Sequence, residues 1–133
     1  MDQFADARRR AHRLNEFCDR LDEHKYPEKY SVLADVHSRL GNAYLELGDY
    51  AKALDHHNRD LKISESHQLA DRQSRALDNL GRVYARNGQF PQAIQVWERK
   101  IPLASTSLEK AWLFHEIGQC HFGLGENEKN TQN

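Results

Sequence analysis

Three pentapeptides decide the fold: Leu40-Gly41-Asn42-Ala43-Tyr44, Leu80-Gly81-Arg82-Val83-Tyr84 and Ile117-Gly118-Gln119-Cys120-His121. The second follows the first by 40 residues and the third follows after another 37. Seven residues past each glycine stands another, Gly48, Gly88 and Gly125, and twelve past the first two stands alanine, Ala53 and Ala93. Tyr50 and Phe90 match at the same separation. The register extends toward the N-terminus through three triplets: Leu14, Leu54, Ile94; Phe17, His57, Trp97; and Leu21, Leu61, Ile101. A fixed period of this length marks a stack of repeated supersecondary units, each unable to bury its apolar face alone.

Each unit reads as two antiparallel helices. In the first, Leu33, Val36, Leu40, Ala43, Tyr44 and Leu47 recur at spacings of three and four and make one apolar stripe. A glycine inside a helix costs about 1 kcal/mol relative to alanine. Its recurrence at Gly41, Gly81 and Gly118 therefore predicts close approach of a partner helix, and Ala53 and Ala93 are small for the same reason. Gly48 and Gly88 follow the last apolar turn, where a positive φ ends a helix at little cost. Pro91 opens the next helix, where its missing N–H does no harm. The expected map is a helix over 3–25, standing as the second helix of a partial repeat, then a linker over 26–30. A repeat over 31–66, a repeat over 71–103, the first helix of a further repeat over 107–124 and a frayed polar tail over 125–133 complete it. Residues 1–133 thus form a single all-α domain of about six helices, in hairpins stacked as a right-handed superhelix.

The composition fits that reading. The chain has 133 residues, 38% hydrophobic and 29% charged, with 19 Lys+Arg against 20 Asp+Glu and a net charge of −1. That balance argues against nucleic acid as a partner held by a global field. A mean hydropathy of −0.90 suits an elongated, surface-rich stack, and no apolar run approaches the roughly 20 residues of a membrane span. Arg8, Arg9 and Arg10 fall where a signal peptide would carry its apolar core. Cys18 and Cys120 show no C-x-x-C spacing, so a reduced cytoplasmic setting is expected.

The Leu-Gly-x-x-Tyr, alanine and aromatic positions resemble the tetratricopeptide repeat, and Leu40-Gly41-Asn42 also resembles the longer repeats of Leu-Gly-Asn-type polarity adaptors. Three further stretches, Lys29 to Ser38, Arg75 to Arg86 and Trp97 to Gly118, are similar to the tetratricopeptide-repeat subunits of the ciliary outer dynein arm docking complex. Ile101-Pro102-Leu103-Ala104 and Trp112-Leu113-Phe114-His115-Glu116 lie outside the repeat consensus and single that group out. The resemblance implies a non-enzymatic adaptor of the axoneme that holds coiled-coil docking subunits. Because that family continues with further repeats, it also implies that this chain is a fragment or short form. Two other readings stay open: a Leu-Gly-Asn-like polarity or G-protein-regulator adaptor, and a co-chaperone-type peptide-binding module. Arg82 counts against the first, and Asp35 and Trp112 against the second.

Stacked hairpins leave a concave groove lined by the first helix of each unit. Counted from the repeated glycine, its positions are Asp35, Ser38, Asn42, Leu45 and Glu46; Arg75, Asp78, Arg82, Ala85 and Arg86; and Trp112, His115, Gln119, Phe122 and Gly123. These faces read as mildly acidic, strongly basic and aromatic. Residues 71–110 carry seven Lys/Arg against four Asp/Glu. Arg75, Arg82 and Arg86 project from one helical face with Asn79 at its edge, which would hold an acidic segment while the amide grips its backbone. The competing reading is an ordinary solvated face paired with Asp78. Trp112 and Phe122 are either hydrophobic anchors for the same ligand or packing for a next unit, and exposed terminal helices leave self-association open.

Eight histidines supply no metal site by spacing: His56 and His57 are adjacent, and His115, Cys120 and His121 miss the i, i+4 step of a helical chelate. No G-x-S-x-G, phosphate-binding loop or H-E-x-x-H occurs, so neither enzyme nor cofactor is expected. The Arg8–Arg10 run, with Asp2, Asp6 and Glu16 near it, reads as a solvated helix face.

Overall fold

The computed structural model describes residues 2–22 and 28–132. Six α-helices follow one another among them: α1 (Ala5–Asp22), α2 (Lys29–Glu46), α3 (Tyr50–Ser66), α4 (Ala70–Arg86), α5 (Phe90–Lys100) and α6 (Ser107–Gln132), with a 3₁₀ turn over Ile101–Leu103 after α5. Each helix packs on the next, and α2 also touches α4. Helices α2 with α3 and α4 with α5 are the two hairpins that the 40-residue period predicts. Among the described residues there is no strand.

The repeated turn has one physical design in both copies. Gly48 and Gly88 adopt φ of 76° and 75°. Their N–H groups donate to the carbonyls of Leu45 and Ala85, and the next residues, Asp49 and Gln89, donate to Tyr44 and Tyr84. A left-handed glycine thus lets the chain satisfy the last carbonyls of the first helix and turn back. The Asp49 carboxylate then accepts the Lys52 N–H at 3.1 Å and caps α3.

The helix-interior glycines have the predicted packing cause at two positions of three. A Cβ on Gly41 would lie inside the buried imidazole of His57, and one on Gly81 inside the buried indole of Trp97. At Gly118 nothing lies within 4 Å of a Cβ. The apolar stripe is the core: Leu33, Val36, Leu40 and Ala43 pack against α1 through Ala11 and Leu21. Leu61, Ala76, Leu77 and Leu80 join α3 to α4. Ala93, Ile94, Trp97, Leu113, Ile117 and Cys120 join α5 to α6. Burial pushes the Cys120 thiol up, as befits a core cysteine.

Three expectations about boundaries are corrected. Residues 23–27 lie outside the described residues, and Lys29 and Tyr30, placed in a linker, already belong to α2. The helix expected through residue 103 gives way to the 3₁₀ turn at Ile101, because Pro102 cannot supply the N–H that an α-helix needs there. The tail over 125–133 is helical as far as Gln132. Gly125 ends nothing: Gly48 and Gly88 are followed two residues later by Tyr50 and Phe90, whereas Glu126-Asn127 offers no aromatic to draw the chain back.

His57 makes a testable consequence of this packing. It is fully buried, neither ring nitrogen has a hydrogen-bond partner, and burial pulls its pKa down to about 4. The folded state therefore binds a proton later than the unfolded chain, so stability is lost as pH falls from the unfolded value near 6.5 toward 4. Relative to a His57→Phe variant, the parent is expected to lose about 3 kcal/mol of unfolding free energy between pH 7 and pH 4. Urea titrations of both chains at the two pH values check it; parallel pH profiles would contradict it.

Candidate functional site

The first helices α2, α4 and α6 carry the residues singled out from sequence, and the structure divides them into structural and available groups. Arg75 is structural. One of its amino groups donates to Asp35 at 2.8 Å and the other reaches both oxygens of Asp60 at 3.3 Å. Arg72 completes a bidentate pair with Asp35 at 2.9 and 3.1 Å. Asp60 has no exposed surface, and Ser64 donates to it at 3.1 Å. Burial pushes its pKa up to about 6, against the pull of Arg75. The two guanidinium groups hold the Asp35 carboxyl below its ordinary value, although burial is the largest single influence and works the other way. This lattice bolts α2, α3 and α4 together.

Asn79 is likewise spent. It is buried between α4 and α2, and its amide donates to Ser38 Oγ at 3.3 Å. It cannot grip a ligand backbone in this arrangement, and Ser38 is no groove residue either. Leu45 is buried with Ala53 and Val83, and the Phe90 ring lies against Gly123. Helical register alone put these on the open face. In the folded chain the neighbouring first helix, or the aromatic of the turn, covers them.

What stays open on α4 is narrower than the predicted stripe. Arg82 is about half exposed and pairs with Asp78 one turn away at 2.9 Å, while Lys100 reaches the other Asp78 oxygen at 3.6 Å. Arg86 is exposed and forms no ion pair among the described residues. On α6, Trp112 stands edge-on to Trp97 with ring centroids 6.3 Å apart, and the Lys100 ammonium lies 5.9 Å from its centroid. His115 and Gln119 approach each other at 3.4 Å on the exposed side. With Phe114, Gly118 and Phe122 they line a depression of about 470 Å³.

The first unit is not mildly acidic. Its Asp35 is neutralised in the lattice, and the Glu46 carboxylate accepts a bidentate pair from Arg10 at 2.7 and 3.2 Å, which draws its pKa down. Asn42 and Glu46 share a cavity of about 410 Å³ with Arg10, Arg13, Leu14 and Arg39. Sequence reasoning missed these three arginines. Arg8 and Arg9 do pair locally with Asp2 and Asp6, but Arg10 points a different way around the helix, toward α2. Its spacing from the buried Ala7 and Ala11 carried that signal.

Among the described residues no three His, Cys, Asp or Glu side chains are gathered to hold a metal. No helix among them is long and apolar enough to cross a membrane. The helical hairpins, their glycine turns and the ring-on-glycine contacts define a repeat solenoid. The tetratricopeptide repeat model matches residues 32–104, and the chain belongs to that family.

Within the family, the chain is 56% identical over 102 residues to outer dynein arm-docking complex subunit 4 of Danio rerio, covering 77% of this chain and 21% of that protein. It is 50% identical over 105 residues to the protein of the same name from Homo sapiens, covering 79% and 16%. This chain thus spans about a fifth or less of the length of these relatives. The crystal structure of aspartyl phosphate phosphatase F from Bacillus subtilis superposes with a TM-score of 0.67 over 99% of this chain and 39% of that one, at 19% identity. That likeness is one of fold.

Proposed function

We propose that the chain is a non-enzymatic protein-interaction scaffold of the cytoplasm and ciliary axoneme that serves the docking of outer dynein arms. The observation that carries this reading is the 56% identity to a docking-complex subunit. The resemblance read from Ile101–Ala104 and Trp112–Glu116, where the repeat consensus places no demand, points the same way. The buried positions are accounted for by helix packing, which leaves recognition to the surface of α2, α4 and α6.

The ligand the surface suits is an acidic segment, helical or extended, such as the flank of a coiled coil in another docking subunit. Arg86 offers an uncommitted guanidinium. The Arg82–Asp78 pair is exposed and one helical turn long, a class worth about 0–1 kcal/mol, so a ligand carboxylate can take Arg82 over at small cost. Trp112 supplies a half-exposed aromatic beside it, with His115 and Gln119 as polar neighbours. Asn42 lies at the other end of the same succession of first helices.

Affinity capture from ciliated-cell extract tests this, comparing the parent with an Arg82→Glu, Arg86→Glu variant. Both sites are surface positions, so the variant keeps its fold. The parent is expected to recover docking-complex subunits, and the charge-reversed chain to lose most of them. Recovery by both would move the interface off α4; recovery of no axonemal protein by the parent would overturn the adaptor reading.

A further inference from the structure

Two histidines interrupt the repeat where helix packing asks for apolar side chains. His37 and His56 hold the register of Leu77 and Val96, which pack in one apolar cluster in the next unit. In the first unit the pair is polar instead. The Nδ1 atoms of His37 and His56 face each other at 3.0 Å, and the two rings stack with centroids 5.3 Å apart. The other ring nitrogen of His37, Nε2, lies 3.8 Å from Cys18 Sγ. On its far side the His56 ring stacks on Tyr44, with centroids 5.4 Å apart, and the Tyr44 hydroxyl accepts from Asn15 at 3.1 Å. Helices α1, α2 and α3 thus bring a thiol, an imidazole and a second imidazole into one chain of contacts, at positions that packing would fill more cheaply with leucine and valine.

We propose that Cys18 is a reactive thiol that hydrogen peroxide oxidises to the sulfenic acid, with His37 as its base and His56 as the residue that positions His37. A nucleophile within reach of a base, and a base oriented by a third group, is the general arrangement of an activated thiol. Only one hydrogen fits between the two Nδ1 atoms. When His37 carries it, its Nε2 is bare and accepts the Cys18 proton. His56 suits the accepting part, because burial holds its pKa below the ordinary histidine value and keeps the ring neutral at pH 7.

The thiol is half-buried, and its access does not depend on what precedes α1. Asn58 and Glu98 hold the same register on α3 and α5, each between two first helices, and both are exposed. In the reaction the thiol proton passes to His37 Nε2 and the sulfur attacks one peroxide oxygen. The S–O bond forms as the O–O bond breaks, and the departing hydroxide recovers the proton from the imidazolium as water. Sulfur is oxidised to the sulfenic acid and peroxide is reduced to water; a thiol reductant reverses the change. Because Cys18 packs against the cluster of Ala11, Leu33, Val36 and Leu40, the added oxygen puts a polar group at the edge of the α1–α2 contact. None of the three residues belongs to the α4 and α6 surface of the adaptor reading, so the two stand separately.

Peroxide treatment of the purified chain tests the proposal, with dimedone trapping the sulfenic acid and mass spectrometry following the Cys18 and Cys120 peptides over time. Cys120 is the internal control, buried and with its thiol pushed up. In the parent, Cys18 is expected to react about tenfold or more faster than Cys120. His37→Leu, which places there the residue of the next unit, is expected to slow Cys18 by about tenfold or more. His56→Val, again the residue of the next unit, is expected to slow it likewise. His56→Asn is expected to restore most of the rate, because its amide oxygen stands where Nδ1 stood, and a purely structural role for His56 would give no such rescue. Circular dichroism establishes that all three variants remain folded. A Cys18 no faster than Cys120, or a His37→Leu chain as fast as the parent, would overturn the proposal. His56→Val as fast as the parent, or His56→Asn as slow as His56→Val, would overturn the part given to His56.

Discussion

Trp97→Ala is expected to lower the unfolding free energy by about 3 kcal/mol in urea denaturation. Removal of a fully buried tryptophan generally costs about 3–5 kcal/mol, and Trp97 is 2% exposed between α4 and α6. The lower end applies because its indole N–H has no partner, and an unsatisfied buried donor already weakens the native state. For the same reason Trp97→Phe is expected to be far milder. The ring-on-glycine contact makes a sharper test by double-mutant cycle. Gly81→Ala alone is expected to destabilise by about 2 kcal/mol, since the new Cβ falls inside the indole. In the Trp97→Ala background it is expected to stabilise by about 1 kcal/mol, the helix-propensity gain with the clash removed. Additive effects would mean that Gly81 does not exist to admit Trp97.

Arg75→Ala is expected to cost about 3 kcal/mol at pH 8, the range for removing one partner of a buried charge pair, and much less at pH 5. The sign follows from Asp60. Its folded pKa of about 6 lies above the ordinary aspartate value, so the folded state takes up its proton first as pH falls from 6 toward 4, which favours folding there. Without Arg75 the carboxylate loses the one cation in contact with it among the described residues and is protonated at still higher pH, so the variant's penalty fades on acidification. Taking parent minus variant removes most of the opposing contribution of His57, whose depressed pKa comes first from burial and only in its smallest part from the Arg75 charge. Urea titrations of both chains across this range read it directly, and a penalty that does not change with pH would contradict the account of the lattice.

These two sites show what the sequence made legible and what it did not. The 40-residue register announced close helix approach at Gly41 and Gly81, because a glycine inside a helix has a cost that only packing can offset. It announced the turns at Gly48 and Gly88 for a related reason, the positive φ. It misled at Gly125, where the glycine recurs but the aromatic two residues on does not. The binding face was harder to read, because the register fixes the direction of a side chain within its helix and says nothing of the acid it meets on another. Arg75 points the same way as Arg82 and Arg86, yet Asp35 and Asp60, from α2 and α3, claim it. Asn79 points toward the groove edge, and Ser38 of the neighbouring helix closes over it. Arg10 lay in a run that looked locally neutralised, and only the packing of α1 on α2 brings it to Glu46. Periodicity is a property of one helix, whereas the charge of a surface belongs to several.

The central claim, that the inner helices of this stack carry the protein-binding surface, is tested most directly by nuclear magnetic resonance. An isotope-labelled chain would be titrated with the acidic segment of a captured docking-complex partner, and amide shifts followed along each helix. The account predicts perturbations concentrated at Arg82 and Arg86 of α4 and at Trp112, His115 and Gln119 of α6, with α3 and the outer side of α5 unmoved. Perturbations confined to α3 and α5 would contradict it.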